Sequence, residues 1–248
     1  MVLPAPTPPV TIRVASYNMR KAIGTDRRRR PERVIDVLNE IGADIVALQE
    51  ADRRFGRRES ALPAPLLADH SRYRAVGFPL RNGGMGWHGN ALLVSDAVEV
   101  IDSDVLHIPS LEPRGAVIAE LRIGAVELRV VGMHLDLSGL WRRRQAHAIL
   151  ARLADAPPMP TVAMGDLNEW TRDRGCLRDF GQSFAFAPCG RSFHASRPVA
   201  ALDRIMYGPE LDLVDCGVHS TPHARRASDH LPIWAELTPA TPGGAKEG

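Results

Sequence analysis

Six stretches of the chain end an apolar run, or open one, with groups that can hold a cation or a phosphate. Asn18 closes TIRVASYN, Glu50 closes ADIVALQE, and His134 and Asp136 close VVGMHLD. Asp166 and Asn168 close TVAMGDLN, Asp203 sits in ALDRI, and Ser228, Asp229 and His230 open SDHLPIW. Carboxylate and amide oxygens without cysteine suit a hard divalent cation, Mg²⁺ or Mn²⁺. Two histidines among several aspartates can move protons and stabilise developing charge. That inventory fits metal-assisted attack of water on a phosphoester. Singly, each stretch has a plainer reading: Glu50 as a solvated strand end, GDLN as a turn, SDH as a helix cap or turn.

Such groups can act together only if the elements carrying them bring strand ends to one rim of a sheet assembly. TIRVASYN, ADIVALQE, GNALLVS, AVIAELRI, AVELRVVGMHL, TVAMGDLN, ALDRIMY and LPIWAEL read as strands, with Gly124 turning AVIAELRI into AVELRVVGMHL as a hairpin. Pro31 to Ile41 reads as a helix: Pro31 suits its first turn, Val34, Val37, Leu38 and Ile41 share a face, and Gly42 stops it. WRRRQAHAILARLAD reads as a second helix, with Ala146, Ile149, Leu150 and Leu153 as its apolar face and prolines beyond it. Short strands with two or three interspersed helices, one strand pair a hairpin, point to a mixed sheet.

The bulk properties narrow the class. A chain of 248 residues can bury a substantial core. The balance of 31 basic and 29 acidic residues argues against a dedicated polyanion coater. Only Lys21 and Lys246 are lysines; the other basic residues are arginines. Cys176, Cys189 and Cys216 form no close pair, which excludes a disulfide scaffold or a structural zinc site. No apolar run is long enough to span a membrane, and MVLPAPTPPV lacks the basic and apolar regions of a secretion signal, so cytoplasm is the expected location. The expected organisation is a Pro-rich tail over 1–10, one domain over 11–238 and a short tail over 239–248.

Taken in order, SYN (16–18), LQE (48–50), MHL (133–135), GDLN (165–168), LDRI (202–205) and SDHLP (228–232) resemble the endonuclease/exonuclease/phosphatase superfamily over about residues 11 to 238. The resemblance implies an α/β four-layer α/β/β/α sandwich of two mixed sheets flanked by helices, with the site at one end of the sheets. It implies Glu50 as the main metal ligand, with Asn18 beside it and Asp229 near the metal. Asp166 would orient or deprotonate the attacking water, and Asn168 would hold a phosphate oxygen or a second metal position. His230 would contact the phosphate, Asp203 would fix its tautomer, and His134 would assist the leaving group.

GDLNEW and RSFHASRPVAALDRI resemble a bacterial branch of small hydrolases, some linked to phospholipid metabolism, and EPRGAVIAEL resembles the central strand region of the branches outside DNA repair. This makes Arg114 a candidate phosphate contact. Lys21, on the loop beyond Asn18, is a second, because a compact ammonium neutralises phosphate as a point charge. There is no long insertion of the kind DNA-repair members use to grip a duplex, and His88 and Asn90 stand where those enzymes present other residues. The runs Arg27 to Arg30, Arg53 to Arg58 and Arg142 to Arg144 read either as solvated faces or as sites for nucleic acid or anionic headgroups. The leading expectation is a metal-dependent phosphodiesterase on a lipid-type or small phosphodiester, monomeric and without a protein partner. The alternatives are a nuclease and a non-catalytic binding module of the same fold.

Overall fold

The computed structural model describes residues 10–53, 59–79 and 84–241. Among them the elements run β1 (Ile12–Asn18), α1 (Pro31–Ile41), β2 (Ile45–Gln49), α2 (Ala64–His70), β3 (Tyr73–Ala75), β4 (Ala91–Ser95), β5 (Val98–Leu106) and β6 (Gly115–Ile123). There follow β7 (Val126–His134), α3 (Gly139–Ala154), β8 (Thr161–Asp166), α4 (Cys176–Phe180), β9 (Ala185–Phe186), β10 (Asp203–Tyr207), β11 (Leu211–Val218), α5 (Pro222–Ala227) and β12 (Ile233–Pro239). Most of the two expected tails, with Lys246, lies outside the described residues, as do Arg54, Arg57 and Arg58. Strand β12 runs one residue past the expected domain end at 238.

The apolar runs are explained by burial on both faces. In β2, Ile45 and Ala47 enter one core cluster while Val46 and Leu48 enter another. A strand whose alternate side chains both meet a core reads as a continuous apolar run. The first sheet has the order β11-β12-β1-β2-β4-β3 and the second β5-β6-β7-β8-β10-β9. Val14, Ile45 and Leu92 of the first meet Val117, Val130, Val162 and Ile205 of the second in the central cluster. The outer face of the first sheet is covered by α1, through Val34, Val37, Leu38 and Ile41, and by α5, through Ala224 and Ala227. The outer face of the second is covered by α3 and α4, through Ala146, Ile149 and Phe180. Four layers result, and each fully buried Leu or Ile in them contributes about 1.5–3 kcal/mol.

The register fixes where strand ends fall. β1 and β2 run parallel with Asn18 opposite Gln49, and β7 and β8 run parallel with His134 opposite Asp166. β10 runs antiparallel to β8 with Asp203 opposite Asp166, and β6 antiparallel to β7 with Gly115 opposite His134. Asn18, Glu50, His134, Asp166 and Asp203 are thereby placed at one end of the two sheets.

Helix α1 matches its expected span; Gly42 ends it in the left-handed region, φ 58°. Gly124, φ 57°, turns β6 into β7. The fold adds elements beyond the sequence reading: strands β3, β5, β9 and β11 and helices α2, α4 and α5. The middles of β5 and β11 mix exposed polar residues with the exposed apolar Ile101 and Val214 (VEVIDSDVL and LDLVDCGV), which breaks the alternation that marks a strand.

Candidate active site

One half of the site is a buried chain of hydrogen bonds. Asp203 Oδ2 accepts from His230 Nδ1 at 2.9 Å and also from the Ser192 hydroxyl. With Nδ1 held by Asp203, His230 turns Nε2 toward Asp166, 3.8 Å from its Oδ2. Asp166 Oδ2 also accepts from Asn18 Nδ2 at 2.9 Å and lies 3.3 Å from His134 Nε2, while Oδ1 accepts the Asn168 backbone N–H at 3.0 Å. Asp166, Asp203 and His230 are 1%, 2% and 6% exposed, so each charge depends on its neighbours. Burial opposes ionisation of Asp166, but hydrogen bonding to His134 and the charges of His134 and His230 outweigh it and hold the carboxyl well below its usual range. Burial likewise opposes charging of His230, and the Asp203 carboxylate outweighs it, raising the imidazole to about 10.

The backbone sets these positions tightly. Gly165 precedes Asp166 on β8, and a Cβ there would lie 1.8 Å from the Met133 carbonyl oxygen, so only glycine lets β8 approach β7 this closely. Asn168 adopts φ 51° and donates one amide hydrogen to Leu135 O at 2.9 Å, leaving the second for a ligand.

The other half is half-exposed and ionic. Just beyond β2, Glu50 takes φ 54°, strain of about 1–3 kcal/mol for a non-glycine residue. Its peptide is anchored by Lys21 N–H donating to Glu50 O at 3.1 Å and Ala51 N–H donating to Gly89 O at 2.9 Å. Arg20, Lys21 and Ala22 form a left-handed turn, φ 47°, 55° and 58°. That turn sets the Lys21 ammonium against the Glu50 carboxylate and Arg20 Nε 3.2 Å from Asp229 Oδ2. Burial opposes ionisation of Glu50, and the charges of His134, Lys21 and Arg114 outweigh it and keep the carboxyl below its ordinary value. Arg114 Nη1 stands against the His134 ring, within reach of both its nitrogens, so the imidazole lies between a guanidinium and the Asp166 carboxylate. A cleft opens on this half, lined by Lys21, Glu50, Arg53, His88, Arg114 and His134 among others.

Every expected site residue therefore lies at the same end of the sheets, with contacts the sequence left unspecified. Lys21 faces Glu50, and Arg114 faces the His134 ring. Asp136 is occupied structurally: it accepts the N–H groups of Leu111, Glu112 and Ser138 at 3.0, 3.2 and 3.1 Å. The run Arg142 to Arg144 is not an open basic patch. Arg142 is buried against Glu169 at 3.0 Å, Arg143 pairs with Asp179 at 2.9 Å, and Arg144 lies over the Trp141 ring. Ser228 does end α5, and its hydroxyl donates to Asn18 O at 2.7 Å, joining the two halves. Sequence reasoning missed Ser192, the Arg20–Asp229 pair and Phe193, whose ring stands 4.8 Å from that of His230. Ser192 and Phe193 lie in RSFHASRP, a stretch with neither helical nor strand periodicity to single them out.

Two groupings bear on a metal. Asp166, Asp203 and His230 bring ligand atoms within 4.8 Å of one another, yet His230 Nδ1 is already hydrogen-bonded to Asp203 and its Nε2 makes an ion-pair contact with Asp166, so this trio is a relay closed on itself. Glu50, Asn18 and Asp229 offer oxygen donors only, and both carboxylates are met in this structure by side-chain cations. Cys176 is buried elsewhere, at the start of α4, and Cys189 and Cys216 lie in the β9–β10 connection and on β11. The Glu50 side therefore fits a hard divalent cation.

The described fold is similar to several solved structures. An endonuclease/exonuclease/phosphatase from Bacteroides vulgatus aligns with TM-score 0.75 at 20% identity, covering 93% of this chain and 100% of that one. The human Nocturnin catalytic domain, solved with bound sulfate, aligns with TM-score 0.71 at 20% identity, covering 93% and 95%. A humanized D. rerio TDP2 aligns with TM-score 0.71 at 16% identity, covering 92% and 99%. No curated protein matches the chain in sequence. The family model for the Endonuclease/Exonuclease/phosphatase family matches residues 15–230, a span that runs from β1 to His230 and holds the whole relay. The chain belongs to this family, whose members are in general divalent-metal-dependent hydrolases of phosphoesters.

Proposed function

We propose that the protein is a Mg²⁺- or Mn²⁺-dependent phosphodiesterase that directs water onto a lipid-type or small phosphodiester. The observation that carries this reading is the buried Asp203–His230–Asp166 relay, joined to Asn18 by the Asn18–Asp166 hydrogen bond and flanked at the same end of the sheets by the carboxylates of Glu50 and Asp229. Glu50, Asn18 and Asp229 would hold the cation, which when bound polarises a phosphoryl oxygen and lowers the pKa of water. Asp166, kept ionised by its neighbours, orients the attacking water and accepts its proton. His230, fixed by Asp203, presents Nε2 to the phosphate and stabilises the charge that develops there. Asn168 offers its remaining amide hydrogen to a phosphate oxygen. His134 stands across Asp166 from His230, placed to protonate the leaving oxygen. Arg114 and Lys21 add positive charge to the cleft, Lys21 by releasing Glu50 to the cation.

Turnover of bis-p-nitrophenyl phosphate with Mn²⁺ tests the proposal. Activity that EDTA abolishes, and that Glu50→Gln and Asp166→Asn both lose, is the expected result. Metal-independent turnover, or variants as fast as the parent, would overturn it. The exposed Arg27 to Arg30 run, on the loop that leaves β1 at the site, favours a nuclease as the second reading. Plasmid nicking faster than headgroup release from phospholipid would select it.

A further inference from the structure

Seven large apolar side chains are exposed among the described residues, and five of them, Leu111, Leu137, Leu140, Trp170 and Val199, surround the catalytic end. The strand register puts them there. β7 and β8 finish together at His134 and Asp166, so the segments 135–140 and 167–175 leave from that end. β6 and β10 begin opposite the same two residues, so 107–114 and 188–202 enter there. Side-chain contacts agree: Leu111 N–H donates to Asp136, next to Leu137, and Leu140 lies in the first turn of α3. The Trp170 ring is 6.0 Å from Phe193, which packs on His230, and Val199 N–H donates to Phe193 O at 2.7 Å. The remaining two, Ile101 and Val214, lie within strands β5 and β11. Exposed apolar groups gathered on one end of a chain mark a contact surface, whereas scattered ones do not.

The charges on the same four segments select the partner. Glu112 pairs with Arg114, Asp136 is occupied by backbone amides, and Glu169 is buried against Arg142. Asp173 is left as the exposed acid, against Arg172, Arg174, Arg191 and Arg197, which are exposed and make no ion pair among the described residues. The loop leaving β1 adds the exposed run Arg27 to Arg30 at this end. A cationic rim set with leucine and valine is poorly suited to single-stranded nucleic acid, which is held by aromatic platforms; Trp170 is the one exposed aromatic among the five. Aliphatic side chains with a tryptophan and guanidinium groups match the boundary between anionic headgroups and acyl chains. We propose that the catalytic end docks on an anionic lipid bilayer, the five apolar side chains entering the headgroup–acyl boundary and the arginines meeting lipid phosphates. This rests on the lipid-type phosphodiester reading and narrows it to substrate presented at a membrane surface.

The test is co-sedimentation of the full chain with vesicles of phosphatidylcholine alone or mixed with phosphatidylglycerol. It is run beside bis-p-nitrophenyl phosphate turnover, which needs no membrane. The expected result is binding to the mixed vesicles that weakens in high salt, and that falls by at least about tenfold in a Leu137→Ser/Leu140→Ser variant. Soluble turnover should be unchanged in that variant, since both side chains are exposed and outside the relay. Absent vesicle binding, or binding that the double variant retains, overturns the docking. Binding to single-stranded DNA instead of vesicles assigns the surface to nucleic acid, and a leucine-dependent dimer without vesicle binding assigns it to a second copy; either outcome also overturns it. Vesicle binding without any diester turnover leaves the docking in place and removes the catalytic reading.

Discussion

The two halves of the site are built on different principles. The Asp203–His230–Asp166 half is buried, and its geometry is over-determined: Ser192, Asn18, His134 and the Asn168 backbone each hold an oxygen or a ring. The Glu50–Asp229 half is half-exposed, lies on left-handed loop backbone, and is held by the side-chain cations Lys21 and Arg20. A buried network cannot rearrange without leaving a polar group unpaired. Exposed ion pairs contribute little and exchange readily for other ions. The difference teaches that one half is fixed by its own contacts while the other is held by exchangeable ion pairs; under the proposed function the first would handle protons and the second would trade its internal cations for a metal and a substrate phosphate.

The largest expected effects set the halves against each other. Asp203→Asn removes the carboxylate that orients His230 and should lower turnover by about 10²- to 10⁴-fold, with no recovery as Mn²⁺ is raised. Glu50→Gln should also lose activity, but regain part of it at Mn²⁺ concentrations about 10- to 100-fold higher. A Mn²⁺ titration of both variants, with thermal melts to confirm folding, decides the matter; identical responses would erase the distinction. Gly165→Ala probes the tight packing behind the relay. Its Cβ would meet the Met133 carbonyl, so a loss of roughly 3 kcal/mol in urea unfolding is expected. An unchanged midpoint would mean the approach of β8 to β7 is looser than the structure has it.

Smaller effects belong to the ionic half and its surroundings. Lys21→Arg keeps the charge but replaces a compact ammonium with a wide fork, and should lower turnover by about tenfold. Unchanged kinetics would return Lys21 to a residue of charge alone. The smallest effect concerns Glu40, on α1, which accepts from Thr221, His219 and His223 beside α5 at 2.6, 2.8 and 2.7 Å. Burial opposes its ionisation, but those hydrogen bonds outweigh it and hold the carboxyl below the ordinary 4.5. A carboxyl with a depressed folded-state pKa stabilises above its unfolded value, and that contribution is lost as pH falls through the folded one. Glu40→Gln should therefore destabilise the protein by under about 1 kcal/mol at pH 7 and by progressively less as pH falls below the ordinary carboxyl range, read from urea midpoints.

The sequence by itself determined what depends on neighbours along the chain. The span of α1 with its Gly42 stop, the β6–β7 hairpin at Gly124 and the doubly apolar central strands follow from periodicity and backbone preference alone. Most of the inventory of site groups was equally legible, because the Asn, Asp, Glu and His groups close or open apolar runs, whereas Lys21 and Arg114 lie in loops that no such run marks. The tertiary structure decided which of those groups meet. Asp203 and His230 are 27 residues apart and Asn18 and Asp166 are 148 apart, so only sheet register could place them within hydrogen-bond reach. It also decided that Arg142 is buried against Glu169 while Arg27 to Arg30 face water, although both runs read alike as charge. β5 and β11 escaped the sequence reading for the same reason. Their pairing rests on backbone groups of a neighbouring strand, and their middles carry no trace of it. Local pattern records which face of an element is apolar. Which polar group lies opposite another is set by packing between elements far apart in the chain, and no local pattern records that.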